Sequence, residues 1–346
     1  PHNFARHGLS GPHHMGSHKA EALAQEICAL LNDPAAAQPF IVDITKESIS
    51  DSIQADVLQS VDLILDFSAS HAVSRHLSSL QSGKPRLCAF LTSRGRGLVI
   101  LVESPGSTSR LDDLEVQLAA RIWRNPDLHI VYQITDGGVH FARSCRDTSV
   151  ILPQDLTAIH AGVAARFIAN HIGSLATGLH IWLWSDETNS VTHSYFGSVP
   201  VRILRQGQWE IRWTLEVAEN LAEMRRQNLP NETGGILIGQ IDHLRHIVYV
   251  VDASSSPDDS VEWPTVYIRG SQELRKRVEA IRRVTGNDLD YVGEWHSHPL
   301  GSSDEPSAAD REALAQLSAN LASDGVPAIV AIQGDGEEPF FMVDGT

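Results

Sequence analysis

Cysteine is scarce in this chain of 346 residues. Three occur, Cys28, Cys88 and Cys145, far apart and with no Cys-x-x-Cys among them. Neither a zinc ribbon nor a disulfide framework is indicated, and a cytoplasmic protein is expected. Basic charge is also short: Lys and Arg number 27 against 43 Asp and Glu, a net charge of −16. The deficit is uneven, with 14 basic and 19 acidic groups in residues 1–200 but 13 and 24 in residues 201–346. That balance disfavours nucleic-acid binding, which runs on basic patches. At the acidic end it suits a basic or neutral protein substrate. No apolar run reaches the ~18–20 residues of a membrane span, and no signal peptide opens the chain. Because it begins on Pro1 rather than Met, a segment upstream is expected. Two hydrolytic zinc motifs are missing as well. There is no His-Glu-x-x-His, and no cysteine follows Cys145, so the Pro-Cys-x-x-Cys of a zinc deaminase is excluded. A hydrophobic content of 42% with 20% charged residues reads as globular, and the length suits two domains.

Against these absences one stretch is dense with chemistry: Gly293-Glu-Trp-His-Ser-His-Pro-Leu-Gly-Ser-Ser-Asp-Glu-Pro-Ser-Ala-Ala-Asp310. His296 and His298 are one residue apart, so in extended backbone their side chains point the same way. Two neutral imidazoles and a carboxylate at Asp310 would leave an open position on zinc, the arrangement of a catalytic rather than a structural ion. Upstream, Asn231-Glu232-Thr-Gly-Gly235 brings a carboxylate to the start of the apolar run Ile236-Leu-Ile238, where it would serve as a general base. Taken singly, each piece has an ordinary reading. A lone His-x-His is more often surface or packing, and Ser307-Ala-Ala-Asp310 also reads as a helix N-cap with its acidic partner.

The constellation resembles the JAMM (JAB/MPN) metalloproteases, whose pattern is an upstream Glu at a Gly-rich first strand, then His-x-His-Pro, then Ser-x-x-Asp. The resemblance runs from about Gln208 to the C-terminus. It implies that His296, His298 and Asp310 bind zinc, that Glu232 activates water, and that Ser307 steadies the tetrahedral oxyanion. The loop between His298 and Ser307 holds eight residues, one more than the family pattern, a departure that falls on Ser307.

A second resemblance covers the front. Asn3-Phe-Ala-Arg6-His7, Gly16-Ser-His-Lys19-Ala20 and Asp62-Leu-Ile-Leu-Asp66-Phe-Ser-Ala-Ser70 are similar to the ThiF/MoeB adenylyltransferases and ubiquitin-activating enzymes. By position Asn3 and Arg6 would face ATP phosphates, Lys19 would offset developing charge and Asp66 would hold Mg2+. The resemblance also implies a homodimer through this part. The family's Gly-x-Gly-x-x-Gly loop is absent, so ATP and magnesium would act only if that loop were supplied. Without the resemblance, Arg6, Lys19 and Asp66 read as a loop arginine, a helix-start lysine and a strand-end acid. Cys145, between Arg143 and Arg146, is a thioester candidate whose neighbours would lower its pKa; an ordinary loop cysteine is the other reading. Cys28 and Cys88 are expected in the core. The histidines at 2, 7, 13, 14 and 18 match no metal-site template.

Periodicity predicts helices over 19–31, 50–59, 111–123, 154–171, 214–228, 271–285 and 307–321. It predicts strands over 40–44, 61–66, 179–184, 191–195, 234–239, 246–252, 290–295, 327–333 and 339–343, with a further pair either side of Ser93–Gly97. Alternating elements at the front suggest a mostly parallel sheet. The expected fold class is α/β, a partial ThiF-like Rossmann-type domain over 1–200 followed by an α+β, cytidine-deaminase-like JAMM domain over 201–346. The expected activity is a zinc isopeptidase acting at the C-terminal glycine of a ubiquitin-like protein, in a bacterial antiphage or mobile-element conjugation system. Processing of a sulfur-carrier protein, or a non-catalytic binding module, are the alternatives.

Overall fold

The computed structural model of the chain describes residues 12–46, 57–80, 83–132, 152–302 and 304–344. They fall into two units, residues 1–60 and 61–346. In the first, a short turn at Pro12–His14 precedes helix α1 (Lys19–Leu31). The Glu21 carboxylate accepts from the His18 N–H at 3.1 Å, closing the N-terminus, and Asn32 in the left-handed region ends the helix. The apolar stripe expected on α1 is covered only in part: Ala24 is buried and Ile27 half-buried, while Leu23 and Leu31 are exposed. Cys28 is accordingly half-buried rather than core. No strand forms over 40–44; a strand needs a partner, and Phe40, Ile41 and Val42 lie exposed without one. The helix expected over 50–59 falls mostly outside the described residues.

The second unit holds two main sheets. The first has the order β1 (Ile64–Asp66), β2 (Arg86–Leu91), β3 (Gly97–Glu103), β4 (Gly178–Ser185), β5 (Ser190–Gly197). It is not mostly parallel. Only β1 and β2 run together, and the other three pairings are antiparallel. Loop length accounts for two of these: the links 92–96 and 186–189 are hairpin-short, whereas a parallel crossover needs a dozen residues or more; β3 and β4 are antiparallel despite the long link 104–177. The sheet therefore gives no support to a Rossmann-type front, although the fold as a whole is mixed α/β. β3 is apolar on both sides. Leu98, Ile100 and Val102 face α4 (Gln154–His171), which lays Ala164 and Phe167 on them. Val99 and Leu101 face α3 (Leu111–Arg124) through Leu111, Leu114 and Leu118. A further helix, α2 (His71–Ser79), follows β1.

The second sheet begins with β6 (Val201–Gln206) and β7 (Trp209–Thr214) and continues through β8 (Gly234–Asp242), β9 (Ile247–Ala253), β12 (Asp290–Ser297), β13 (Ala328–Gln333) and β14 (Phe340–Asp344). Its spatial order is β14-β13-β12-β8-β9-β7-β6. A separate hairpin, β10 (Val261–Trp263) with β11 (Val266–Ile268), stands beside it. One face of the sheet packs Trp209, Ile211 and Trp213 with Trp295 and with Val217 and Leu221 of α5 (Leu215–Asn228). The other receives Val116, Ala119 and Ala120 of α3, together with Ile281 of α6 (Leu274–Val284). So α3 is shared: one stripe serves the first sheet and the opposite stripe the second. Its first turn is tied down by charge. Arg212 on β7 donates two hydrogen bonds to Asp113, of 2.7 and 2.6 Å, and Tyr249 and Arg245 donate to Asp112 at 2.7 and 2.9 Å. Burial works against the Arg212 charge, but the Asp113 bonds outweigh it and raise the guanidinium pKa. Among the described residues no helix is long and apolar enough to cross a membrane.

Candidate metal centre

Strands β8 and β12 run antiparallel, with His296 opposite Gly234 and Trp295 opposite Gly235. The two glycines permit close approach. A Cβ on Gly234 would strike the Tyr267 ring and the Trp295 carbonyl, and one on Gly235 the Ser254 carbonyl. Trp295 is buried beneath this crossing and donates its indole N–H to Ser254 O at 2.8 Å, which fixes the strand that carries the histidines.

His296 and His298 flank Ser297, which is wholly buried. The Ser297 N–H donates to Thr233 O at 2.7 Å, and its hydroxyl oxygen accepts from the Thr233 N–H at 3.0 Å. From the other side, the Glu232 N–H donates to Trp263 O at 3.0 Å, and the Thr233 hydroxyl donates to Glu262 at 2.6 Å. Glu232 is thus gripped between β12 and the β10–β11 hairpin by its own backbone and its neighbour's. The chain beyond β12 is held as firmly. The His298 N–H donates to Gln333 O at 3.0 Å. Buried Arg225 on α5 donates to His298 O at 2.8 Å, to Pro299 O at 3.1 Å and to Asp335 at 2.5 Å. Asp335 in turn accepts from the Gly301 N–H at 2.8 Å.

Helix α7 (Ala308–Leu321) starts at Ser307, whose hydroxyl oxygen accepts from the Asp310 N–H at 3.3 Å while the Asp310 carboxylate accepts from the Ser307 N–H at 2.6 Å. This is the capping box read from the sequence, and the same carboxylate turns toward the histidines. Asp310 Oδ1 lies 3.0 Å from His296 Nε2, and Oδ2 lies 3.3 Å from His298 Nε2. One ligand atom from each residue lies within 4.8 Å of the others. Burial works against the Asp310 charge, but the two imidazoles and Ser307 outweigh it and hold the carboxyl well below the usual range. Glu232 shifts the other way. Burial pushes its pKa up, and His296 and His298 only partly offset this. All four groups, with Ser307, line one open cleft of about 720 Å³, whose walls include Val266 and Tyr267 of the hairpin and Leu317 of α7.

The donor set suits zinc. Ligand atoms around a tetrahedral zinc stand about 3.3 Å apart, close to the spacings found. His296 Nε2 is buried near the carboxylate without an aligned hydrogen bond, as expected of two groups aimed at a common ion rather than at each other.

The remaining candidates fare differently. Asn3, Arg6 and Cys145 lie outside the described residues. Lys19 is exposed at the start of α1 in the first unit. Asp66 ends β1 and is buried, with Oδ1 accepting from the Ser68 N–H at 2.8 Å. It stands opposite Cys88 in the register. Burial, with the Asp66 charge added, pushes the Cys88 thiol well up, as befits a core cysteine. Arg225, Asp335 and Ser297 were missed. Ser297 was signalled by the buried phase of its strand; nothing local in the sequence marks the other two.

Residues 214–343 match the Prok-JAB family, described as prokaryotic homologs of the JAB domain. A curated relative from Enterobacter hormaechei subsp. hoffmannii (strain UCI 50), named CD-NTase/cGAS isopeptidase, is 44% identical over 90 residues, 26% of this chain and 48% of that protein. The chain thus spans about half the length of the curated relative it matches. Among solved structures, the solution structure of protein DSY2949 from Desulfitobacterium hafniense is 23% identical, with a TM-score of 0.26, covering 39% of this chain and 88% of that one.

Proposed function

We propose that the chain is a zinc-dependent isopeptidase that cuts after the C-terminal glycine of a ubiquitin-like protein, with residues 201–346 as the hydrolytic domain and residues 1–200 as a ThiF-like front. The observation that carries the reading is the convergence of His296, His298 and Asp310 in one open cleft that Glu232 also lines. Zinc held by those three residues would supply Lewis acidity and a more acidic water. Glu232, ionised, takes the proton of the attacking water as its oxygen adds to the carbonyl carbon. It then hands that proton to the leaving amine as the C–N bond breaks. Ser307, at the start of α7 beside Asp310, would turn its O–H to the carbonyl oxygen as negative charge develops there.

The cleft is open, and β11 pairs only with β10 among the described residues, leaving an extended edge on which a substrate tail can be added as a strand. An extended tail ending in glycine fits between that edge and β12; a folded or bulky one does not. The relative named CD-NTase/cGAS isopeptidase supports the isopeptidase reading. By that likeness the lysine side of the bond would lie on a CD-NTase-type partner, in a bacterial antiphage conjugation system. The test is mass-spectrometric cleavage of a ubiquitin-like protein from the same operon, joined through its terminal glycine to short peptides. Cutting at the glycine is expected, slowed far more by Gly→Val than by changes to the residue after it. Indifference to the tail, or cleavage confined to unrelated unfolded proteins, would leave a general metallopeptidase in its place.

A further inference from the structure

The first unit contains a cluster that the hydrolase does not use. We propose that His13, His14 and Glu26 form a second metal site, one that takes a divalent ion of borderline softness such as Zn2+. The histidines sit on the short turn Pro12–His14, and Glu26 comes from the middle of α1. Both imidazoles converge on one carboxylate oxygen, His13 Nε2 at 3.3 Å and His14 Nε2 at 3.4 Å.

His13 Nε2 is also within hydrogen-bond reach of Glu26 Oε1, but two features suit a metal site. The first is distance. A charge-assisted N–H···O bond is about 2.7–2.9 Å long, whereas two ligands around a tetrahedral zinc, each bonded at about 2.0–2.2 Å, stand about 3.3–3.5 Å apart. Both contacts fall in the longer range, as does the 3.3 Å between His298 and Asp310, while His296 and Asp310 stand closer at 3.0 Å. The second is accessibility. The His14 side chain is 3% exposed, Glu26 34% and His13 68%. One ligand is therefore anchored in the unit while the others open to solvent, which gives an ion a way in and leaves positions for water. The donor set, two imidazoles and a carboxylate, is of the type zinc takes. Among the described residues this group and the His296 cluster are the two whose ligand atoms converge within 4.8 Å. Glu26 is thirteen residues from His13, so the sequence pattern of the histidines alone conceals it. A bound ion would tie the turn to α1.

The test uses the full chain carrying His296→Ala and His298→Ala, which empties the hydrolytic site, and measures zinc by equilibrium dialysis with elemental analysis. That chain should still hold one zinc ion. Adding Glu26→Gln, at a part-exposed position, or His13→Ala, at an exposed one, should weaken binding at least about tenfold. His18→Ala, a change to another histidine of the same segment, should leave it unaltered. Absence of zinc from the His296→Ala, His298→Ala chain overturns the proposal. So does equal loss on His18→Ala and Glu26→Gln, which would mark an unstructured histidine cluster.

Discussion

Glu232 is fixed through backbone bonds at its own N–H and at Thr233, so its side chain is oriented without a partner of its own being spent on it. Burial raises its pKa, and a base must be ionised to accept a proton. Hydrolysis should therefore fall as pH drops through the Glu232 pKa, giving an acid limb. A pH profile of kcat/KM in wild type tests this; a rate that does not fall on the acid side contradicts it. The same shift has a stability consequence. A carboxyl with a raised folded pKa is stabilising only while protonated, and that contribution is lost as pH rises through the folded value. At neutral pH and free of metal, Glu232→Gln should melt at the same temperature as wild type or higher. That advantage should vanish as pH falls below the unfolded glutamate pKa, which parallel melting curves would show.

Among the elements, the segment leaving β12 depends on α5. Arg225 holds His298 O and Pro299 O and reaches Asp335, which holds the Gly301 N–H. Arg225→Ala should loosen the His298 carbonyl and weaken zinc binding at the hydrolytic site about 10- to 100-fold, as expected for a group supporting a ligand. Arg225→Lys, which keeps charge but not the fork, should recover only part. Unchanged zinc affinity in a folded Arg225→Ala chain would confine the residue to packing. No such clamp was legible in the sequence, because its parts lie on α5, the loop after β12 and the loop after β13, and only tertiary structure brings them together. What was legible had a local period or a local cap: α4 matches its expected bounds, α7 begins at its Ser307–Asp310 box, and His296 and His298 share a side because β12 is extended. Strands β6 and β7 were not read, although Trp209, Ile211 and Trp213 alternate with Glu210 and Arg212. The buried Arg212 obscured the pattern, since its partner Asp113 is on α3. The parallel front sheet failed for a related reason: alternation of elements says nothing about hairpin-short links.

At the level of the whole chain, α3 is part of both cores in the second unit, and Arg212 and Asp113 are almost wholly buried against each other. Removing one partner of such a pair typically costs about 3–5 kcal/mol, more than the pair itself contributes. Residues 201–346 expressed alone should accordingly be far less stable than 61–346, by both this loss and the bared face of Ile236, Ile238 and Tyr249. Equal melting temperatures would show the hydrolytic part to be self-sufficient. The proposed activity is metal-dependent hydrolysis with Glu232 as the base. It is tested most directly by Glu232→Gln in a chain that also carries His13→Ala and Glu26→Gln, so that one site is counted, with zinc content and cleavage of the glycine-linked ubiquitin-like substrate measured on the same sample. Zinc should stay at one ion per chain while cleavage falls about 100- to 10,000-fold; cleavage within a few-fold of the parent at full zinc occupancy would contradict the account.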